Sequence, residues 1–279
     1  MNQATACETA LVASDYKSGL KPVWCPGCGD YSVLQALTKA MASLALKPED
    51  VAVISGIGCS SRIPAYTSTY GFHGVHGRSL ALSTGLKVAR PDLTVICTGG
   101  DGDGFSIGGN HFMHACRRNV DITYIVMDNQ VYGMTKGQAS PTTDPFWDSA
   151  LTPGGTGISP FHPLVIALAS GANFLARAFS GDPKGTAAMI EEAITHPGFS
   201  FVQILSPCVT YRPDQKDWRN KVRTAPVEAT ADPARAARRL MTDDGFNTGV
   251  LFRGEREPFK LNQNNDSTET YDFTSRFEV

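Results

Sequence analysis

The sequence predicts an α/β fold in which a largely parallel sheet is covered by helices on both faces. Apolar, β-rich segments recur along residues 1–215, and segments with helical spacing separate them. The strand segments are apolar along their whole length, which is typical of strands buried on both faces of a parallel sheet. With 279 residues, the chain is long enough for one large domain or two modest ones.

Strands and helices follow each other in order along this region. We predict strands at residues 51–58, 93–100, 121–129 and 199–208. We predict helices at residues 78–89, 105–119 and 185–197, where Pro91 and Pro197 mark two of the ends. Parallel strands all end at one edge of their sheet, where ligands bind. Residues at or just after the predicted strand ends should therefore face the same side of the molecule: Cys59, Asp101, Asn129 and Cys208.

The charges of the chain are balanced overall but unevenly distributed. The 25 Lys and Arg residues and 27 Asp and Glu residues leave a formal charge of −2, which argues against nucleic acid or an anionic membrane as a partner. Charged residues occupy 14% of positions 1–215 but 34% of positions 216–279. A charge-poor body predicts burial against other subunits. Residues 216–279 form a charged C-terminal extension that we expect to wrap a partner or stay partly mobile, and to carry no chemistry.

The N-terminal residues and the cysteines indicate where the protein is located and in which redox environment. The N-terminal residues lack a basic start followed by an apolar run, and the longest aliphatic stretch, at 164–169, is far shorter than the ~20 residues of a membrane span. Seven cysteines, an odd number, suit a reducing compartment in which thiols are metal ligands or core residues. We therefore expect a cytoplasmic protein without disulfides.

The most specific local motif is G-G-D-G-D-G at residues 99–104, followed by Asn129 after the next strand. The carboxylate of Asp101, the amide oxygen of Asn129 and a nearby main-chain carbonyl are oxygen ligands of the kind that Mg²⁺ prefers. The glycines allow backbone N–H groups to approach a diphosphate, and the following helix presents its N-terminus to the same anion. The pairing predicts a metal–diphosphate site. No nucleotide P-loop motif is present.

A second group of candidate ligands consists of cysteines. Cys25 and Cys28 form a C-x-x-C turn, and Cys59 and Cys208 stand at predicted strand ends. From the residues alone, such a turn fits a zinc site, a redox pair or an iron–sulfur cluster, although the second C-x-x-C of a zinc ribbon is missing. Cys97 and Cys116 lie within predicted elements and are expected to be buried side chains. The sequence assigns no role to Cys7.

Several blocks of sequence together resemble the thiamine-diphosphate-binding β subunit of 2-oxoacid:ferredoxin oxidoreductases. They are W-C-P-G-C-G-D (24–30), G-I-G-C-S-S-R (56–62), H-G-V-H-G-R (73–78), G-G-D-G-D-G (99–104) and M-D-N-Q-V-Y-G-M-T-K-G-Q-A-S-P-T (127–142). The resemblance extends from about residue 20 to 212. It implies the thiamine-diphosphate-binding fold for residues 1–215, with Mg²⁺ held by Asp101, Asn129 and the carbonyl of Val131. It also implies a 4Fe-4S cluster on Cys25, Cys28, Cys59 and Cys208.

The same resemblance implies further site residues. Those expected around the cofactor are Ile57, Gly58, Cys59, Ser60, His76, Gly77, Arg78, Gly102, Asp103, Gly133 and Met134. Lys136 is expected to select the substrate, since related subunits with lysine there tend to accept 2-oxoglutarate, whose distal carboxylate would pair with an ammonium group. The implied activity is coenzyme-A-dependent oxidative decarboxylation of a 2-oxoacid, or the reverse reductive carboxylation, with electrons passing through the cluster to ferredoxin.

The partner expected from the resemblance is an α subunit. Thiamine enzymes use a glutamate to activate the aminopyrimidine ring, but residues 1–215 contain only Glu8, Glu49, Glu191 and Glu192, and none is near a motif. We expect the α subunit to supply this glutamate at a shared active site. Two alternatives stay open: a non-oxidative thiamine-dependent decarboxylase subunit, and a zinc-stabilised assembly subunit without catalysis.

Overall fold

The computed structural model describes residues 11–223 and 229–260 of the chain. Seven strands form one sheet in the order β2-β1-β3-β4-β6-β5-β7. They are β1 (Val51–Ser55), β2 (Tyr70–His73), β3 (Thr94–Gly100), β4 (Thr123–Asp128), β5 (Phe174–Phe179), β6 (Ser200–Leu205) and β7 (Gly249–Arg253). The first six are parallel to their neighbours, and β7 pairs with β5 in the antiparallel direction.

Helices connect the strands. The helices are α1 (Asp30–Ser43), α2 (Ile63–Tyr66), α3 (Ser79–Ala89), α4 (Gly109–Arg118), α5 (Pro163–Ala169), α6 (Pro183–Thr195), α7 (Trp218–Lys221) and α8 (Pro233–Met241). No described helix is long and apolar enough to cross a membrane.

Two hydrophobic cores lie on opposite faces of the sheet. Side chains of α1 and α6, such as Leu37 and Ile190, pack with Ile96 of β3 on one face. Side chains of α4 and α5, such as Phe112 and Leu164, belong to the core of the other face. Strands β1, β4, β5 and β6 are buried along their whole length, because both of their faces are covered by helices. The predicted fold class is confirmed.

Some predicted elements differ from the observed ones. The helix expected over residues 105–119 begins as a regular α-helix only at Gly109, after a π-helical turn at Asp103–Ile107 in which Ser106 has non-helical angles. The strands expected to reach residues 58 and 208 end at Ser55 and Leu205, and the residues beyond them form loops. The C-terminal extension contributes α8 and β7, so part of it belongs to the sheet and its core.

Candidate active site

The carboxyl ends of the parallel strands surround a cavity of about 530 Å³. The loops that follow β1, β3 and β4 supply most of its wall, because parallel strands place these loops at one edge of the sheet. The lining residues are Asp30, Ile57, Gly58, Cys59, Ser60, His76, Gly100, Asp101, Gly102, Asp103, Met127, Asn129, Val131, Tyr132, Gly133, Met134, Thr135 and Gln138.

Asp101 lines the cavity, and the residue is 2% exposed. The Oγ1 atom of Thr142 lies 3.0 Å from Asp101 Oδ2 and 2.8 Å from Asp128 Oδ1, while the backbone N–H of Asn129 approaches Asp101 Oδ1 at 3.4 Å. A hydroxyl has one proton, so Thr142 cannot donate fully to both carboxylates. Burial and then the nearby Asp128 carboxylate raise the pKa of Asp101. A bound cation would stabilise the buried Asp101 carboxylate, which lies close to the second carboxylate.

The loop after β4 adds oxygen atoms to the same wall. Asn129 Oδ1 accepts a hydrogen bond from the backbone N–H of Val131 at 3.1 Å, and both residues line the cavity. Gln130 between them has a φ of +54°, which turns the loop tightly after the strand. Carboxylate, amide and main-chain oxygens are the ligand types that suit Mg²⁺. The residues predicted for a metal–diphosphate site, Asp101, Asn129 and Val131, therefore fit such a group by their chemistry.

The loops after β1 and β2 are joined at Asp103. Its Oδ1 atom accepts hydrogen bonds from the backbone N–H groups of Ile57 at 2.9 Å and Gly77 at 2.8 Å, and lies 2.8 Å from Nδ1 of His76. Asp103 therefore acts within the protein to hold the wall of the cavity together. His76 keeps part of its ring in the cavity wall.

Two glycines of the G-G-D-G-D-G motif are explained by packing against tyrosines. A Cβ atom on Gly102 would lie 2.2 Å from the Tyr132 ring, and one on Gly104 would lie 2.2 Å from the Tyr124 hydroxyl. Tyr132 also donates a hydrogen bond from its hydroxyl to the Gly102 carbonyl at 3.1 Å. Larger residues at these positions would displace the aromatic rings that support the loop.

The four cysteines predicted as cluster ligands come from three parts of the chain. Cys25 and Cys28 form a tight turn, closed by a 3.0 Å hydrogen bond from the Cys28 N–H to the Cys25 carbonyl. The indole of Trp24 donates to the Cys59 carbonyl at 2.7 Å and so ties this turn to the end of β1. A Cβ atom on Gly133 would lie 3.8 Å from the Cys208 Sγ and 3.9 Å from the Cys59 Sγ, so these two thiols lie together beside the cavity.

The surroundings of these thiols disfavour an unbound thiolate. Burial raises the pKa of Cys59 to about 11, with further contributions from the Asp30 carboxylate and from Cys208 and Cys25. Burial also raises the pKa of Cys28, followed by Asp30, Cys59 and Cys208. Neighbouring thiolates repel one another, and this repulsion contributes to the raised pKa values. A positively charged metal centre would offset the repulsion, so the cysteines fit a shared metal group. Within residues 11–223 and 229–260, no three His, Cys, Asp or Glu side chains are gathered closely enough to bind one single ion.

Apart from the cysteines, three predicted site residues do not line the cavity. Gly77 contacts Asp103, and Arg78 donates to the Ile107 carbonyl at 3.2 Å. Lys136 is exposed, has a φ of +75° and follows Thr135, which is a lining residue. Cys97 and Cys116 are buried within elements, as predicted, while Cys7 lies outside the described residues.

Several polar residues that support the site were not predicted from the sequence. Thr142 joins Asp101 to Asp128, and Gln203 continues this contact by donating to Asp128 Oδ2 at 2.7 Å. Gln215, the last residue before the C-terminal extension, is fully buried and donates to the Asn129 carbonyl in the loop after β4. Thr142 stands in a segment that the family resemblance covers. A lone glutamine in a polar tail carries no local signal.

Comparisons with known proteins agree with these observations. A family model for the C-terminal TPP-binding domain of thiamine pyrophosphate enzymes matches residues 56–204. The chain is 46% identical over 194 residues to a 2-oxoglutarate oxidoreductase subunit KorB of Mycobacterium tuberculosis, a match that covers 70% of this chain but only 52% of that protein. It is 38% identical to the β subunit of 2-oxoacid:ferredoxin oxidoreductase 2 of Aeropyrum pernix, covering 88% of this chain and 85% of that one.

A solved structure has the same fold over nearly the whole chain. It is the 2-oxoglutarate:ferredoxin oxidoreductase of Magnetococcus marinus with 2-oxoglutarate, coenzyme A and succinyl-CoA bound. The TM-score is 0.86 at 42% sequence identity, and the match covers 89% of this chain and 87% of that one.

Proposed function

Because this chain belongs to the family of 2-oxoacid:ferredoxin oxidoreductase β subunits, we propose that it is the cofactor-binding subunit of an enzyme that acts on 2-oxoglutarate. The reaction is coenzyme-A-dependent oxidative decarboxylation to an acyl-CoA, or its reductive reverse, with ferredoxin as the electron partner. The observation that carries this proposal is that Asp101, Asn129 and Cys59 line the same cavity. Relatives named for 2-oxoglutarate favour that substrate.

Thiamine diphosphate and Mg²⁺ are proposed to occupy the cavity. The oxygens of Asp101 and Asn129 and the carbonyl of Val131 would hold the metal, and Gly102 and His76 would lie near the diphosphate. When bound, thiamine diphosphate supplies the nucleophilic carbon for the 2-oxoacid and accepts the electrons left by loss of CO₂. The chain's own contribution is to orient these groups. Its environment raises the pKa of Asp101, and a bound cation would favour the ionised carboxylate.

A 4Fe-4S cluster is proposed on Cys25, Cys28, Cys59 and Cys208. It would supply a one-electron acceptor next to the cavity, because Gly133 lines the cavity on one side and neighbours the Cys59 and Cys208 thiols. The buried Asp30 contacts Ser206 and adds negative charge near these thiols. Such charge lowers the reduction potential of a nearby centre, which suits electron delivery to ferredoxin.

The active site is proposed to be completed by an α subunit. Among the described residues, no glutamate lines the cavity, although thiamine chemistry needs a carboxylate at the aminopyrimidine ring. An α subunit that covers the cavity would bring this residue. The cytoplasmic location stays a prediction.

The test is co-expression with an α-type subunit and an anaerobic assay of ferredoxin reduction with coenzyme A and either 2-oxoglutarate or pyruvate. We expect 2-oxoglutarate-dependent reduction, stoichiometric iron and sulfide, and loss of activity in Asp101→Ala. Lys136→Ala should lower kcat/KM for 2-oxoglutarate by about tenfold while changing that for pyruvate little, since an ion pair to the distal carboxylate would be lost. Lys39→Ala, an exposed lysine on α1, is the matched control.

Other results would contradict specific parts of the proposal. A colourless, iron-free enzyme that decarboxylates without ferredoxin would make this a non-oxidative thiamine enzyme. Zinc without iron or magnesium, together with full partner function in Asp101→Ala, would leave only an assembly role. Equal effects of Lys136→Ala on both oxoacids would remove the substrate assignment.

A further inference from the structure

The segment after β6 contacts the loops that carry both groups of predicted ligands. Gln215 lies in the short turn at Pro213–Asp217 and is fully buried. Its Oε1 atom accepts a hydrogen bond from the backbone N–H of Cys208 at 2.9 Å. Its Nε2 atom donates to the main-chain carbonyl of Asn129 at 2.7 Å. One amide therefore bridges the backbone of a predicted cluster ligand and that of a predicted magnesium ligand.

Arg212 contacts the loop after β4 at Gln130, the residue that follows Asn129. Its guanidinium group donates to the Gln130 carbonyl at 3.2 Å and pairs with Asp214 at 2.9 Å. It also lies 4.8 Å from the centre of the Trp147 ring, and the residue is 4% exposed. Two consecutive carbonyls, those of Asn129 and Gln130, are thus fixed by side chains from the segment 212–215. Gln130 itself has the left-handed φ of +54° that the loop needs.

We propose that Gln215 is a positioning residue that couples the two cofactor sites. It fixes the Asn129 carbonyl, and with it the loop from Asn129 to Val131, to the same side chain that fixes the Cys208 backbone. The inference rests on the proposed function, since it concerns the groups that these loops would bind.

The chemistry of the amide explains why glutamine is suited to this position. The N–H of Cys208 needs an acceptor and the carbonyl of Asn129 needs a donor, and a glutamine side chain has one of each at its tip. An apolar residue of the same size would fill the space but leave both buried backbone groups without these partners, which is costly. Groups that orient metal ligands from outside the ligand set commonly change metal affinity by about tenfold or more when they are removed.

The first test is Gln215→Met in the anaerobically purified complex with the α subunit. Methionine keeps the length and volume of the side chain but does not replace either hydrogen bond. We expect thiamine diphosphate, titrated with Mg²⁺ by fluorescence quenching, to bind about tenfold more weakly. We also expect the electron paramagnetic resonance spectrum of the reduced cluster to change while iron content stays at the parent level, because the freed Cys208 N–H alters hydrogen bonding around the cluster.

Two further variants make the test specific. Gln215→Asn keeps the amide but is one methylene shorter, so it can reach only one partner; we expect either the affinity or the spectrum to change, and this variant decides the question if Gln215→Met does not fold. Gln203→Met is the matched control, since Gln203 is also a buried glutamine near the site but contacts Asp128 and Arg177 and makes no bond to Cys208. It should leave the cluster spectrum unchanged.

The outcomes separate this inference from the proposed function. Parent-like affinity and spectrum in both Gln215 variants would overturn the coupling role, as would a spectral change in Gln203→Met equal to that in Gln215→Met. A parent complex that holds no iron and binds no thiamine diphosphate would overturn the proposed function itself, and the inference with it.

Discussion

A single carboxylate, that of Asp103, joins the loops after three neighbouring strands. Its Oδ1 atom accepts from Ile57 after β1 and from Gly77 after β2, while Asp103 itself follows β3. Asp103 packs so closely against the loop after β1 that residue 56 has no room for a side chain. A Cβ atom there would lie 2.0 Å from Asp103 Oδ2. Both aspartates of the G-G-D-G-D-G motif thus line the cavity, and the second one also joins the loops after β1 and β2.

Replacing Asp103 by alanine should destabilise the chain and open the cavity wall. Two buried backbone N–H groups and His76 would lose their acceptor, so we expect the free energy of unfolding to fall by about 2–4 kcal/mol. Urea unfolding followed by circular dichroism measures this change. Asp92→Ala, which removes an exposed ion pair with Arg90, is the control and should change the free energy of unfolding far less. Equal costs for the two variants would contradict the supporting role of Asp103.

The residues of the cavity were predictable from sequence where a motif identified them. Asp101 and Asn129 stand at the ends of apolar strands, and the rule that parallel strands end at one edge is enough to bring them together. The contacts that Asp103 makes with the loops after β1 and β2 were not predictable, because they join residues far apart in the chain. Gln215 was missed since its partners, Cys208 and Asn129, are identified only by the folded chain.

At the scale of elements, the C-terminal region is joined to the sheet by a buried ion pair. Arg177 on β5 pairs with Asp243, which follows α8, and its Nε donates to Gln203 on β6 at 3.0 Å. Gln203 in turn contacts Asp128, and Thr142 links Asp128 to Asp101. These polar contacts are continuous from Asp243, just after α8, to Asp101 at the proposed metal site.

Replacing one partner of the Arg177–Asp243 pair should lower the free energy of unfolding more than replacing both partners. Arg177→Met leaves the Asp243 carboxylate buried without its cation, so we expect a loss of about 3–5 kcal/mol in the free energy of unfolding. The double variant Arg177→Met/Asp243→Leu should recover part of this loss, because no unpaired charge is left. A double-mutant cycle in urea measures the coupling. Additive losses from the two single variants would show that the pair contributes nothing as a pair.

The elements most visible in the sequence were the long apolar ones. Strands β3 and β4 were predicted within two residues of their observed ends, because each is a continuous apolar segment. The short edge strand β2 was missed, since Tyr70–His73 is only four residues long and exposed along its length. Strand β7 was missed because its pairing with β5 joins residues far apart in the chain, and no local pattern encodes such a contact.

At the scale of the whole molecule, the exposed edge of the sheet lies next to the cavity. Strand β2 carries Tyr70 and Phe72, which are 57% and 52% exposed, and Val75 follows with 68%. The strand runs parallel to β1 and leads directly to His76 in the cavity wall. Large apolar side chains on an edge strand are a liability for a free subunit. The edge is therefore the face that we expect the α subunit to cover when it completes the active site.

A charge on this edge should block assembly while leaving the fold intact. Phe72→Asp places a carboxylate where we expect a desolvated contact, so the affinity for the α subunit should fall by at least about tenfold, as measured by co-purification and analytical ultracentrifugation. The cost to the fold should be small, because the Phe72 side chain is half exposed. Phe146→Asp, at a phenylalanine that is 82% exposed in the loop after β4, is the matched control and should assemble normally. Normal assembly of Phe72→Asp would show that the α subunit covers a different face. If only Phe146→Asp fails to assemble, that face includes the 144–158 loop.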